Sequence, residues 1–363
     1  MVDSLEWMTR ELRAMVLQRP GPQELGQLLS RLVASRVAHD ALRLIGSNPA
    51  LGLETGAFSF WHGYEPDLGR ALLLSHYRGE DPLSPQRLAL RRLPGGVMGD
   101  RRVARTRHVG EPGEGSRWER LPHDVFAANG AGSELRLVLR DSRGSWGMLG
   151  LLRAEGGIQF SQKDVEKVAE MTPTLVAAVR ALVTSHPLRA PTPAPPAGVI
   201  ILDQQHQIKA VTPQAREWLH MMGASGRYGP PEWTIEPFHT GMSLAVRRRA
   251  RDANAPVPLA CAPPICFGRW VTVQGQPLDE GGTGDVAIVI QAAGKEALLP
   301  FCEWHGITER ERAVVQEVCT GSAPKQIARR LDLSLHTVNA HLKAVYRKTG
   351  ANGRDELIAA ITA

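Results

Sequence analysis

Near the C-terminal end of the 363-residue chain, the stretch SLHTVNAHLKAVYRK carries hydrogen-bonding and cationic side chains at helical spacing. Leu335, Val338, Leu342 and Val345 recur every three or four residues and form one apolar stripe, while His336, Asn339, Lys343 and Arg347 fall on another side. An asparagine amide presents a donor beside an acceptor and suits the N6 and N7 edge of adenine, and lysine and arginine suit phosphate oxygens. The chemistry on offer is recognition of a duplex by hydrogen bonds and charge.

Such a face is useful only if neighbouring elements hold it outward. Thr308 and Glu311 form a T-x-x-E capping box that starts one helix, with Val314, Val315, Val318 and Cys319 as its buried stripe and Gly321 suited to its left-handed end. Pro324 fits a first helical position, Ile327, Ala328 and Leu331 point inward, and Asp332 and Leu333 make a turn before Ser334 caps the next helix. Helix, short turn and second helix is the geometry that places the second helix in a major groove.

Ile307 to Leu357 resembles the LuxR-type (NarL-type) helix-turn-helix of bacterial transcription regulators. The resemblance is carried by I-T-E-R-E (Ile307 to Glu311), Gly321, Q-I-A-x-x-L (Gln326 to Leu331), S-x-x-T-V-x-x-H (Ser334 to His341), K-x-G (Lys348 to Gly350) and R-x-E-L (Arg354 to Leu357). It implies that Asn339, Ala340 and Lys343 meet the groove; with His336 and Thr337 beside them and Arg347 and Lys348 at the backbone, they form the expected DNA-contacting set. It also implies that a fourth helix, Arg354 to Ile361, dimerises through Leu357, Ile358 and Ile361. Ala323 and Gly353 stand where the family commonly has capping serines, with Pro324 and Asn352 placed to compensate. Residues 305 to 363 hold nine Lys and Arg against six Asp and Glu. A helical protein-interaction module with a solvated basic face is the competing reading.

Upstream, HPLRAPTPAPPAG (His186 to Gly198) has five prolines between positions 187 and 196, which favours a stiff extended spacer. Before it, the chain reads as helical to about residue 45 and then as strands at GAFSFWHGY and ALLLSHYRG. SELRLVLRD and SWGMLGLLRAE follow as a hairpin, and a helix capped by Ser161 and Asp164 is bent or split at Pro173. Trp146 to Arg153 followed by Phe160 to Asp164 resembles the end of a GAF domain, a fold that often holds small molecules and often only dimerises. After the spacer, GVIILDQQHQIKAV, GRWVTVQGQPL and GDVAIVIQA alternate as strands, with Thr212 and Pro213 starting a helix and Trp218 packed on the sheet. This order resembles a shortened PAS domain. SLAVRRRARDA (Ser243 to Ala253) reads as a solvated helix face.

The expected fold is therefore multidomain α+β. A GAF-like α/β sandwich spans 1–185, a Pro-rich linker 186–197, a small PAS-like α+β domain 198–294, and an all-α four-helix helix-turn-helix domain 300–363.

Composition narrows the function. The net charge of +6 has the sign expected for an anionic partner. No apolar run approaches the roughly 18 residues that span a bilayer, and the first residues lack a secretory pattern, so the protein is expected in the cytoplasm. The four cysteines, Cys261, Cys266, Cys302 and Cys319, are read as reduced thiols without metal-ligand spacing. His62, His76, His108, His123, His206 and His239 are scattered, and Trp61, Trp118, Trp146, Trp218, Trp233 and Trp270 are read as packing residues. RRVARTRHVGEPGEGSRWER (Arg101 to Arg120) is read as a solvated loop. Phosphate-loop, zinc-protease, nucleophile-elbow and dinucleotide motifs are absent, as is a receiver-type acidic cluster, so neither an enzyme, a metal site nor a cofactor is expected. Expected partners are double-stranded DNA and a second copy of the chain, with an unidentified small molecule and RNA polymerase as candidates and no membrane. The rival is a constitutive DNA-binding dimer whose front domains only dimerise or recruit other proteins.

Overall fold

The computed structural model describes residues 2–18, 22–49, 58–90, 93–99, 125–126, 128–185, 188, 193–224 and 230–362. The segment expected to be a loop, Arg101 to Arg120, and residues 186, 187 and 189–192 of the proline spacer lie outside them.

Helices α1 (Val2–Leu17) and α2 (Pro22–Ala34) precede an antiparallel sheet of β1 (Ala41–Gly46), β2 (Phe58–His62), β3 (Gly95–Gly99), β4 (Ala131–Asp141) and β5 (Gly144–Ala154) in the order β2-β1-β5-β4-β3. Leu135, Leu137 and Leu139 of β4 alternate onto one face, against Leu25, Leu29 and the helices α5 (Gln162–Ala169) and α6 (Thr172–Thr184). The β4–β5 hairpin closes through Asp141, whose carboxylate accepts the Arg143 N–H at 2.8 Å. Ser161 and Asp164 form the expected capping box, and Pro173 starts α6 rather than bending a continuous helix.

Two elements differ from expectation. The early helices end at Ala34, and Ala41–Gly46 is an interior strand with partners on both edges. The leucine run ALLLSHY is not a strand but the body of α3 (Pro66–Tyr77), started by Pro66 and burying Leu68, Leu72 and Leu73. Leucine fits a helix well, and spacing by four gives this run its buried stripe. The short α4 (Pro85–Leu90) follows.

The second sheet, β6 (Gly198–Leu202), β7 (Ile208–Val211), β8 (Leu259–Ala262), β9 (Val271–Pro277) and β10 (Val286–Ala292), repeats the first connectivity as β7-β6-β10-β9-β8. Helix α7 (Pro213–Ala224) starts where the Thr212 hydroxyl accepts the Ala215 N–H at 3.2 Å. Its Trp218 is fully buried, donating to the Pro196 carbonyl at 2.9 Å. Helix α8 (Ile235–Arg251) and the turn α9 (Pro264–Phe267) complete this layer.

The two sheet units interlock through α3 and α8 at two glycines. A Cβ on Gly69 of α3 would stand 2.2 Å from the Trp233 ring, and one on Gly241 of α8 would stand 2.6 Å from the Tyr77 ring. Each glycine thus receives an aromatic ring from the other unit. Helix α10 (Leu298–Trp304) then wedges between the units. Trp304 meets Trp146 at 5.0 Å between ring centroids, Phe301 meets Trp270 at 6.3 Å, and the Asn48 amide donates to the Pro300 carbonyl at 3.1 Å. One contiguous apolar cluster consequently runs from Met8 to Ile361.

Candidate nucleic-acid interface

Four helices follow the wedge: α11 (Glu309–Cys319), α12 (Pro324–Arg330), α13 (Leu335–Thr349) and α14 (Arg354–Thr362). Thr308 and Glu311 cap α11 reciprocally, the hydroxyl accepting the Glu311 N–H and the carboxylate accepting the Thr308 N–H at 2.7 Å. Gly321, with φ of 88°, takes the left-handed turn after α11. Ala323 offers no side-chain cap, yet Gln326 reaches back to accept its N–H at 2.9 Å and Pro324 removes one orphan donor. Ahead of α14, Asn352 donates from backbone and amide to Glu356 at 2.7 and 2.9 Å, a local substitute for a hydroxyl cap.

Helix α13 begins at Ser334, whose hydroxyl accepts the Thr337 N–H at 3.0 Å, and ends at Gly350 in the left-handed region. Val338, Leu342 and Val345 are buried against α11 and α12, as their spacing requires. On the opposite side His336, Asn339, Ala340, Lys343 and Arg347 are exposed and Thr337 is half-buried. Neither Lys343 nor Arg347 has an ion-pair partner among the described residues.

Lys348 stands apart from this set. Its ammonium donates to Glu311 at 2.5 Å and is turned into the domain. Burial would raise the Glu311 carboxyl, but hydrogen bonds from Lys348 and Thr308 outweigh it and hold the group below its usual range. His305, whose ring is tilted against Phe301 at 4.3 Å between centroids, is pushed down to about 4 by burial.

The dimerisation candidates divide as well. Leu357 and Ile361 are 0% and 1% exposed and complete the core of their own chain, so of the three only Ile358 keeps side-chain surface. Periodicity identifies an apolar stripe but does not say which body covers it.

Among the described residues, no group of three His, Cys, Asp or Glu is placed to hold a metal ion, and no helix is long and apolar enough to cross a membrane. Cys261, Cys266 and Cys302 are buried and Cys319 is half-buried, and none of the four is in a disulfide. His62, His76, His206 and His239 remain separated; His206 Nδ1 lies 2.9 Å from the Ser243 hydroxyl. Trp61 stacks edge-on to Trp233 at 4.8 Å, across the unit boundary.

Residues 305–361 match the sequence model of bacterial regulatory proteins of the luxR family. The segment is thus a LuxR-type DNA-binding helix-turn-helix, and the matched family and relatives are transcriptional regulators. A monoamine regulon transcriptional regulator of Klebsiella aerogenes is 44% identical over 52 residues, 14% of this chain and 23% of that protein. A protein of Mycobacterium tuberculosis named as an HTH-type transcriptional regulator is 40% identical over 75 residues, 20% of this chain and 8% of its own. The chain therefore spans less than a quarter of either relative. Among solved structures, VqmA bound to DPO gives a TM-score of 0.20 at 19% identity, covering 46% of this chain and 86% of that one. The Vibrio cholera VqmA-ligand-DNA complex gives 0.21 at 19% identity, covering 46% and 80%. Likeness at this level establishes neither a shared arrangement nor a shared ligand.

Proposed function

We propose that the protein is a sequence-specific DNA-binding transcriptional regulator that inserts α13 into a major groove. The observation that carries this reading is the two-sided character of that helix. Val338, Leu342 and Val345 are committed to the core, and His336, Asn339, Ala340, Lys343 and Arg347 are presented outward without internal partners for the two cations. A solvated interaction face would need no adenine-matching amide flanked by two free cations one turn apart. Asn339 and Ala340 meet base edges, Thr337 and His336 approach the groove at the start of the helix, and Lys343 and Arg347 neutralise phosphates.

The GAF-like and PAS-like units act upstream, as the parts whose state alters how two copies of the helix-turn-helix are presented to two half-sites. Support for this coupling comes from α10, whose Trp304 rests on the first unit and whose Phe301 rests on the second. A homodimer, RNA polymerase and a small molecule are the partners this reading assigns, in the cytoplasm.

The test is a selection from a randomised duplex pool by the full chain at several salt concentrations, followed by sequencing. Enrichment of a motif with two half-sites about one helical turn apart is expected. Retention that depends on salt but not on sequence overturns it.

A further inference from the structure

The arginines of SLAVRRRARDA are not a single solvated face. Arg247 is half-buried, and its guanidinium donates to the Thr283 and Gly284 carbonyls at 2.8 and 2.9 Å and to those of Gly282 and Asp203 at 3.4 and 3.3 Å. Carbonyl dipoles hold it in place, and no carboxylate pairs with it among the described residues. Arg248 and Arg251 follow on α8, and with Arg247 they line a cleft of about 530 Å³. The first unit contributes Arg78, the residue that ends α3, and the β6–β7 turn contributes His206.

Charge on this wall is unbalanced. Four arginines share the cleft with one carboxylate, that of Asp252, which leaves an excess of three positive charges (four minus one). Asp252 is itself engaged, accepting the Asn254 N–H at 2.8 Å. Arg78 and Arg251 are exposed, and neither has an ion-pair partner among the described residues. Arginine in a last helical turn complements the helix dipole, which accounts for each residue taken alone. Two helix ends carry only about half a negative charge apiece, so the cleft stays positive even with both turned into it. Arg251 is also repelled by Arg247 and Arg248, four and three positions before it on the helix. The same field reaches His206, whose imidazole is held below its ordinary value first by burial and then by Arg247 and Arg78, against a smaller upward pull from Asp203.

A cleft of this volume suits a small molecule. A duplex backbone matches it poorly, because that partner runs along an open stripe of cations rather than into a concavity shared by two folded units. Guanidinium forks pair with phosphate through two parallel hydrogen bonds, and a phosphate group offers up to three acceptor oxygens, so two linked phosphates can engage arginines of both units together. We propose that this cleft binds a compact polyanion of the diphosphate class, with Arg78 of the first unit and Arg248 and Arg251 of the second around its oxygens. Such a ligand ties α3 to α8 beside the packing of Tyr77 on Gly241. The inference goes beyond the DNA-binding reading, and binding rests on the cleft alone.

The test titrates the full chain calorimetrically, without DNA or divalent cations, with pyrophosphate, inorganic phosphate and citrate. The expected result is saturable pyrophosphate binding that weakens as sodium chloride rises, with phosphate and citrate each bound about tenfold more weakly, the difference one charge-assisted hydrogen bond supplies. Arg78→Ala and Arg251→Ala should each weaken pyrophosphate binding about tenfold and leave the melting temperature of the ligand-free chain unchanged, since both side chains are exposed. Arg140→Ala removes an exposed charge outside the cleft and should change neither. Proton NMR should show the His206 ring titrating at higher pH with pyrophosphate bound, as a nearby anion requires. No binding, phosphate or citrate bound as tightly as pyrophosphate, an affinity unchanged in Arg78→Ala and Arg251→Ala, or a His206 resonance indifferent to saturation overturns the proposal. So does a reduced salt slope of duplex binding in either variant, which would assign these arginines to a DNA backbone. Because the titration contains no DNA, its failure leaves the DNA-binding reading standing, and failure of duplex selection leaves this one standing.

Discussion

Lys348 Nζ lies 2.5 Å from Glu311 Oε2, the same oxygen that accepts the Thr308 N–H at 2.7 Å, so the end of α13 is fastened to the start of α11. The contact is partly buried and charge-assisted, which makes it worth more than a surface pair, about 1.5–3 kcal/mol. Lys348→Met should lower unfolding stability by about that amount and leave the salt dependence of duplex binding unchanged. Chemical denaturation paired with a salt titration of binding checks both halves.

Lys343 and Arg347, though close in sequence to Lys348, are expected to behave in the opposite way. Lys343→Ala and Arg347→Ala should leave stability within about 0.5 kcal/mol of the parent, since both side chains are exposed. Each should weaken binding to all duplexes and reduce the salt slope by about one. Asn339→Ala should instead relax sequence preference at one position, costing about 1–3 kcal/mol against the preferred base. A selection in which Asn339→Ala keeps the parent motif would exclude the adenine assignment.

The helical domain was readable because its signals are local. Thr308 with Glu311, Ser334 with Thr337, and the glycines at 321 and 350 announce helix ends within four residues of where they act. The leucine run of α3 was misread because leucines suit either periodicity, although Pro66 marked a helix start. Strand β8 (Leu259–Ala262) went unseen because LACA is short, lacks alternation and is flanked by prolines. Contacts between distant segments left no pattern at all. Trp233 fills the space over Gly69, and Lys348 pairs with a carboxylate 37 residues away, so neither partner could be read from its own neighbourhood.

The first sheet contains a buried ionic network that constrains a glycine. Glu134 accepts from Arg43 Nε at 2.7 Å, Arg136 Nε at 2.8 Å and the Tyr64 hydroxyl at 2.9 Å, while Arg136 also pairs with Asp81. A Cβ on Gly150 would stand 2.7 Å from the Glu134 carboxylate and 2.8 Å from Arg43 Nε. Glu134→Gln should destabilise by about 3–5 kcal/mol, because it leaves Arg43 buried with a neutral partner. Gly150→Ala should destabilise through the same network, and the double variant should cost less than the sum. Additive losses in a denaturation cycle would disconnect the two.

The interlocked glycines predict how the two sheet units unfold. Gly69→Leu or Gly241→Leu must displace the Trp233 or Tyr77 ring that now lies against the glycine. The parent should melt in one transition, since one apolar cluster joins the units, and either variant should split calorimetric unfolding into two. A single transition in both variants would mean that α10 alone holds the units together.

Acid should act first on buried histidines. His239 and His305 are both pushed down to about 4 by burial, against an ordinary value near 6.5 in the unfolded chain. Between these values the unfolded chain binds protons that the folded chain refuses, so stability falls as pH falls. The contribution is complete above about 6.5 and is progressively lost toward 4. Below that, Glu311 and Asp81, both held under the usual carboxylate range, extend the loss: burial opposes the ionised forms, but Lys348 with Thr308 and Arg136 with His76 overcome it. Melting temperature should therefore be level from pH 8 to 7 and decline from 6.5 to 4. The His239→Gln, His305→Gln double variant should flatten that limb while preserving the steeper fall below 4. Proton NMR of the two imidazoles gives the direct check, because a ring resonance titrating near 6.5 in the folded chain would remove that histidine from the account.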